Sequence, residues 1–319
     1  MGLCLNGQAW ANGENPKYDS ACIQEAMETA PETTTLDEIR AACRITVNPA
    51  ADFGALEKRL SEQRHFEYNQ YLLQPYHANY ILVGSYNFAG ANEKPFDDSL
   101  LQDGASFTPT EIKFQVSLKM ALTEKLFGES DRLYVGYTNR SFWQAYNGDI
   151  SNPFRDSNHE PEVWMSFDAD WRWQGVRLRL LDIGLSHQSN GQAGSLSRSW
   201  NRAYLRFVFE TEKMAFFIEP WVRLPEAESD DDNPDIGHYM GNFELMGVYP
   251  LPKGELSFMG RDNFDFQDNK GALQLAYSYP IHRHLNLYVQ WFYGYGESMI
   301  DYNYRNNRLG IGFKLGDWL

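Results

Sequence analysis

From Leu285 to Tyr295 the odd positions are apolar or aromatic. Leu285, Leu287, Val289, Trp291, Tyr293 and Tyr295 would share one face of an extended chain, and Asn286, Gln290 and Gly294 the other. The same period of two recurs along the chain. Phe114, Val116, Leu118, Met120 and Leu122 oppose Lys113, Gln115, Ser117 and Lys119. Val163, Met165, Phe167, Ala169 and Trp171 oppose Ser166, Asp168, Asp170 and Arg172. About twelve such runs are countable, beginning near residues 79, 111, 131, 160, 176, 200, 213, 236, 253, 270, 284 and 305. Several last ~10 to 14 residues, enough to cross a bilayer core when tilted. A soluble β-sandwich is the alternative. It does not explain large apolar side chains on one face of so many strands with charges on the other, which a transmembrane antiparallel β-barrel does, with lipid outside and a polar lumen. The C-terminal run places Leu309, Ile311, Phe313, Leu315, Asp317 and Leu319 on one face. The expectation is a strand to the last residue that closes the barrel, because an open sheet edge cannot be left in lipid.

Composition agrees. Of 319 residues, 43% are hydrophobic and 15% aromatic, yet the mean hydropathy is −0.54. No run approaches the ~20 apolar residues that a spanning helix needs. Tyr and Trp gather at the ends of the runs, as an interfacial girdle requires. Short connections such as Gln174–Gly175 alternate with long polar ones, Asn147–Glu160 and Pro225–Asp235. This is the asymmetry of a barrel with turns on one side and loops on the other. A formal net charge of −15 argues against nucleic acid as a partner.

Residues 1–78 read as an N-terminal extension and residues 79–319 as the barrel. Met1–Ala11 lacks the basic start and apolar core of a full signal peptide, although Ala9-Trp10-Ala11 resembles the end of one. Thr35-x-x-Glu38 is a capping-box pattern opening a short helix, and the chain around Ala55–Arg64 also reads as helical. All three cysteines, Cys4, Cys22 and Cys43, fall in this extension. A Cys22–Cys43 disulfide joining two helical segments is expected, which implies an oxidising compartment. Two free thiols are the alternative, and no role is assigned to Cys4.

The segment Leu181–Tyr204 carries the candidate chemistry. Leu181, Ile183, Leu185, His187 and Ser189 share one strand face, as do Asn201, Ala203, Leu205, Phe207 and Phe209 after a polar loop. His187, Ser189 and Asn201 therefore end two apolar rows on the lipid side of a barrel. Uncompensated polar groups there are costly unless lipid itself is the substrate. Serine, histidine and asparagine form a nucleophile, base and orienter set. A His-x-Ser pair with a later Asn is common by chance, and its placement on an apolar face is what gives it weight.

The segments HQSNG and SRSWNR, the DDNPD loop and GYGESMIDYN together resemble bacterial outer-membrane phospholipase A, over about Tyr80 to Leu319. The resemblance implies that Ser189 is the nucleophile, His187 the base and Asn201 its orienter, with the Gly191 N–H at the oxyanion. It implies catalytic calcium (Ca2+) bound by Ser197 and the Gln192 carbonyl, completed by Ser151 of the partner subunit, and hence a homodimer in the bacterial outer membrane. These are hard oxygen donors of the kind calcium takes. It further implies phospholipid and lysophospholipid substrates and A1 and A2 specificity. Gln192 stands where the family often has arginine, a change that leaves a carbonyl ligand intact. Gly194 stands where it often has aspartate, which puts in doubt a second calcium site shared with Asp232. Asp230–Asp232 then reads equally as a solvated acidic loop. The rival reading is a catalytically silent pore or adhesin. A soluble esterase is disfavoured by the lack of a Gly-x-Ser-x-Gly elbow.

Overall fold

The structure is a computed structural model that describes residues 72–96, 101, 105–124, 126–128 and 131–316. Nearer the N-terminus it describes residues 23, 26, 27, 31, 34–36, 38, 39, 56, 59 and 60. The three cysteines, and with them the expected disulfide, lie outside the described residues. The chain divides into two compact units, Met1–Phe53 and Gly54–Leu319. In the first, the expected capping box is present. The Thr35 backbone N–H donates to Glu38 Oε2 at 2.8 Å and the Glu38 N–H to Thr35 Oγ1 at 3.3 Å. That backbone donor holds the Glu38 carboxyl below its ordinary pKa.

The second unit is a closed antiparallel barrel. Thirteen strands form one sheet, of which β1 (Gln74–Pro75) is a two-residue edge piece on β3. The other twelve are β2 (Asn79–Asn87), β3 (Thr110–Glu124), β4 (Asp131–Trp143), β5 (Phe154–Trp173), β6 (Val176–Ser189) and β7 (Ser199–Glu210), followed by β8 (Ala215–Leu224), β9 (Phe243–Pro250), β10 (Glu255–Asp262), β11 (Gly271–His282), β12 (Leu285–Gly294) and β13 (Asn306–Leu315). Each pairs with its neighbours in sequence, and β13 pairs with β2 to close the circle. At one end the connections are tight. Gln174 and Gly175, both at positive φ (46° and 82°), make the two-residue turn between β5 and β6, the geometry that matches the twist of a hairpin.

The side chains are arranged inside out. On β6, Asp182, Ser186 and Gln188 are buried, whereas Ile183 and Leu185 are 49% and 51% exposed. In water this would be unstable; in lipid it is required. The lumen carries paired charges. Arg155 meets Glu111 and Asp301, each at 2.6 Å, and Arg308 meets Glu111 and Glu297, each at 2.9 Å. Lys113 Nζ lies 3.0 Å from Glu297 Oε1. Removing one partner of such a pair leaves a buried charge uncompensated, typically costing about 3–5 kcal/mol. On the short-turn side, Leu56 and Leu60 pack against Val208, Ala215 and Phe217, and the Leu56 N–H donates to Glu210.

Glu297 lies in the long loop between β12 and β13. Burial would raise its pKa, but the charges of Arg308 and Lys113 outweigh that and hold it at about 2. A carboxylate depressed from an unfolded value of about 4.3 stabilises the fold above that pH and loses its contribution as pH falls through the folded value. Glu297→Gln should therefore melt at a lower temperature at pH 7. The gap from wild type should close between about pH 4.3 and about pH 2. Equal melting at pH 7, followed by circular dichroism in detergent, would refute this.

Three expectations about strand limits are corrected. The strand expected near 160 starts at Phe154, because its first residues pair with β4 beyond the apolar band, where alternation no longer separates apolar from polar. The strand expected near 236 starts at Phe243. Residues Ile236–Met240 form a helix, α1, whose Ile236 and Met240, one turn apart, are 0% and 4% exposed. The last strand ends at Leu315, with Gly316 at φ 67° after it.

Candidate active site

The register of β6 against β7 sets His187 directly opposite Asn201. The two side chains meet: His187 Nδ1 lies 2.9 Å from Asn201 Oδ1. Asn201 Nδ2 in turn donates to Glu226 Oε1 at 3.1 Å. That second bond turns the amide so that its oxygen faces the ring, and an amide oxygen can only accept. The His187 proton is thereby assigned to Nδ1, which leaves Nε2 with a lone pair, as a proton acceptor requires. Ser189 follows two residues along the same face, about 7 Å away by strand geometry. Its hydroxyl makes no hydrogen bond among the described residues. In resting enzymes such contacts are often long and tighten only when substrate binds.

The loop after Ser189 is built around Asn190, which is 3% exposed. Its Oδ1 accepts from the N–H groups of Gln192 (3.3 Å) and Arg198 (3.0 Å), and its Nδ2 donates to the Leu196 carbonyl at 2.8 Å. Gly191, at φ 63°, adopts the left-handed conformation that glycine supplies without strain. Ser197 Oγ donates to Asp232 Oδ2 at 2.5 Å, so two of the expected metal ligands are in contact. A second loop docks against the first. Asn233 Oδ1 accepts the Ser199 N–H at 2.9 Å, and Arg223 holds Asp231 at 2.6 Å and the Pro234 carbonyl at 3.0 Å. Ser151 stays apart. It is exposed in the β4–β5 loop, left-handed at φ 59° beside Asn152 at φ 53°, with no side-chain hydrogen bond among the described residues.

A hydroxyl, a backbone carbonyl and one carboxylate suit a hard cation. Among the described residues no cluster of three or more His, Cys, Asp or Glu could hold a metal, so an ion at this loop would depend mainly on neutral oxygens beside a single carboxylate. Below the row, the exterior opens into an apolar trough of about 620 Å³, whose lining includes Val163, Ile183, Leu185, Ala203, Leu205 and Val222.

Four further residues border the site that the sequence did not single out: Asn190, Glu226, Tyr137 and His159. Asn190 and Glu226 lie in loops, where no periodicity marks a residue. His159 lies one position before the expected strand start. A β5 starting at 154 puts it on the same outward row as Val163, opposite Ser189.

A closed barrel with an apolar exterior and a Ser, His and Asn row on its lipid side defines an integral outer-membrane enzyme that acts on lipid. The chain belongs to the phospholipase A1 family, whose model matches residues 56–315. It is 37% identical over 249 residues to the phospholipase A1 of Salmonella typhimurium, covering 78% of this chain and 83% of that protein. The outer membrane phospholipase A from Escherichia coli superposes with a TM-score of 0.72 at 36% identity, covering 78% of this chain and all of that one. The outer membrane phospholipase dimer of Salmonella typhi with bound calcium gives 0.73 at 35%, covering 80% and 96%. The protein is an outer-membrane phospholipase.

Proposed function

We propose that the protein hydrolyses the acyl esters of phospholipids and lysophospholipids, at both A1 and A2 positions, as a calcium-dependent homodimer using Ser189, His187 and Asn201. The observation that carries this reading is the His187–Asn201 contact of 2.9 Å on the lipid-facing row, one pleat from Ser189. His187 Nε2 takes the Ser189 proton as Oγ attacks the ester carbonyl. The tetrahedral oxyanion lies beside the Gly191 N–H. Its collapse breaks the bond to the leaving alcohol, which takes the proton back from His187 and departs as lysophospholipid or a fully deacylated product. Water, deprotonated by His187, then attacks the acyl-serine and releases a fatty acid and free Ser189. An acyl chain laid in the trough below places its ester at this height.

Ser197, the Gln192 carbonyl and Asp232 of one subunit, with Ser151 of the partner subunit, would hold calcium. Calcium held there would supply Lewis acidity toward a water or carbonyl oxygen at the oxyanion. The acid contact of Ser197 supports a place for Asp232 in that shell, while Gly194 removes one acid from any second site. The Salmonella typhi relative, a dimer with bound calcium, supports the same assembly here. A conducting pore fits less well, since buried ion pairs such as Arg155–Glu111 and Arg308–Glu297 occupy the lumen.

The orienter gives a graded test. Asn201→Ala should lower kcat by about 10- to 100-fold while leaving KM near wild type, because it frees the ring without removing the base. Turnover by that variant equal to wild type would refute the role given to Asn201.

A further inference from the structure

Ser189 is flanked by two imidazoles. His187 stands two residues along β6, and His159 stands directly opposite on β5. Opposed residues of an antiparallel pair have Cβ atoms about 5 Å apart. A methyl group placed on Gly191 would lie 3.8 Å from His159 Cδ2 and 3.9 Å from its Nε2. That edge of the ring therefore borders the loop backbone at the oxyanion.

The two rings are held in opposite tautomers. His159 Nδ1 lies 2.7 Å from the Tyr137 hydroxyl and 3.4 Å from Asn139 Nδ2. An amide nitrogen can only donate. Asn139 is fixed from both ends: Nδ2 also reaches the Asn158 carbonyl at 3.3 Å, and Oδ1 accepts from Ser141 Oγ at 3.0 Å. A ring nitrogen facing that donor is an acceptor, so the proton of neutral His159 sits on Nε2. His187 faces an amide oxygen and carries its proton on Nδ1. One ring thus offers Ser189 a lone pair and the other offers the site an N–H.

We propose that His159 is a catalytic residue of the ester hydrolysis: its Nε2–H donates a hydrogen bond to the acyl carbonyl oxygen as negative charge develops there, beside the Gly191 N–H. The proposal rests on Ser189 being the nucleophile. No proton leaves His159. As the Oγ–C bond forms, the carbonyl π pair moves onto the oxygen and is held by Nε2–H; it returns when the bond to the leaving alcohol breaks. His159 cannot serve as a second base in this tautomer, because Tyr137 and Asn139 occupy its acceptor nitrogen. Tyr137 is a positioning residue that keeps the donor pointing at the site.

The test is steady-state kinetics on the purified full chain in detergent with calcium and a short-chain phospholipid, comparing His159→Phe, His159→Leu, His159→Gln, Tyr137→Phe and Ser189→Ala. Assembly of each is checked by heat-modifiable electrophoretic mobility. Removing one donor from an oxyanion site costs about 10²- to 10³-fold when fully enclosed. At this half-open site His159→Phe should lose about 10- to 100-fold in kcat with KM nearly unchanged. His159→Gln, which keeps an N–H donor, should recover most of that loss, and Tyr137→Phe should lose only a few-fold. If the Phe variant does not assemble, the ratio of the Gln to the Leu variant carries the same test. Full kcat in His159→Phe overturns the proposal. So does a rise in KM alone, which would mark binding of the ground-state head group, or a Gln variant no better than Phe or Leu, which would mark packing. Turnover by Ser189→Ala would instead defeat the reading of the nucleophile on which the proposal stands. A dead Ser189→Ala beside a fully active His159→Phe defeats the proposal alone.

Discussion

Ser189→Ala should assemble as a wild-type barrel and lose turnover of phospholipid by on the order of 10⁴-fold or more. Folding should be untouched because the Ser189 side chain makes no hydrogen bond among the described residues, and the β6 ladder on either side is carried by backbone pairs. Chemistry should be lost because, among the described residues, His187 hydrogen-bonds to no other hydroxyl: its cross-strand partner is Asn201. A long-chain sulfonyl fluoride should label the wild type at Ser189 and leave the variant unlabelled. Hydrolysis of a phospholipid by the variant at more than about a hundredth of the wild-type rate would remove Ser189 from the mechanism.

Chelation of calcium should produce a loss of similar size, and it should also loosen the proposed dimer. Ser197 and the Gln192 carbonyl belong to one loop, clamped by Asn190, and Ser151 stands on another loop, its side chain making no hydrogen bond among the described residues. If the shell closes only when the partner subunit's Ser151 enters it, calcium and association are linked, and each must strengthen the other by the same factor. Sedimentation in detergent with a substrate analogue should show dimer in calcium and a shift toward monomer with chelator. Ser151→Ala should weaken the calcium dependence of both sedimentation and activity. Because Gly194 supplies no acid, one calcium per active centre is the expected stoichiometry. Full activity from a calcium-free monomer would defeat this arrangement even with Ser189 confirmed as nucleophile.

The barrel was legible because period-two alternation survives wherever lipid touches the strand. Phe114 to Leu122 and Leu285 to Tyr293 are read correctly from hydropathy alone, and both fall in strands, β3 and β12. The reading failed where the chain rises past the apolar band. On β5 the outward row continues upward from Val163 through Pro161, His159 and Ser157, and no hydropathy contrast marks it. The run expected to begin near 236 opens instead as a helix, because apolar residues four apart, Ile236 and Met240, fit either period over so short a stretch. The site divides the same way. His187, Ser189 and Asn201 sit on paired strands whose register follows from the alternation, so the sequence could bring them together. Glu226 reaches Asn201 from a loop 25 residues away, and loop closure leaves no periodic trace.

The charge-filled lumen bears on how this protein can harm the membrane that holds it. With Arg155, Arg308, Lys113 and their carboxylates paired inside the bore, the barrel itself should conduct ions poorly, however many copies a membrane contains. Leakage in its presence should then come chiefly from what it makes: lysophospholipids and fatty acids, which are detergents. Permeability to ions should rise with accumulated product and not with protein density. A membrane crowded with the Ser189→Ala barrel should stay as tight as one without it.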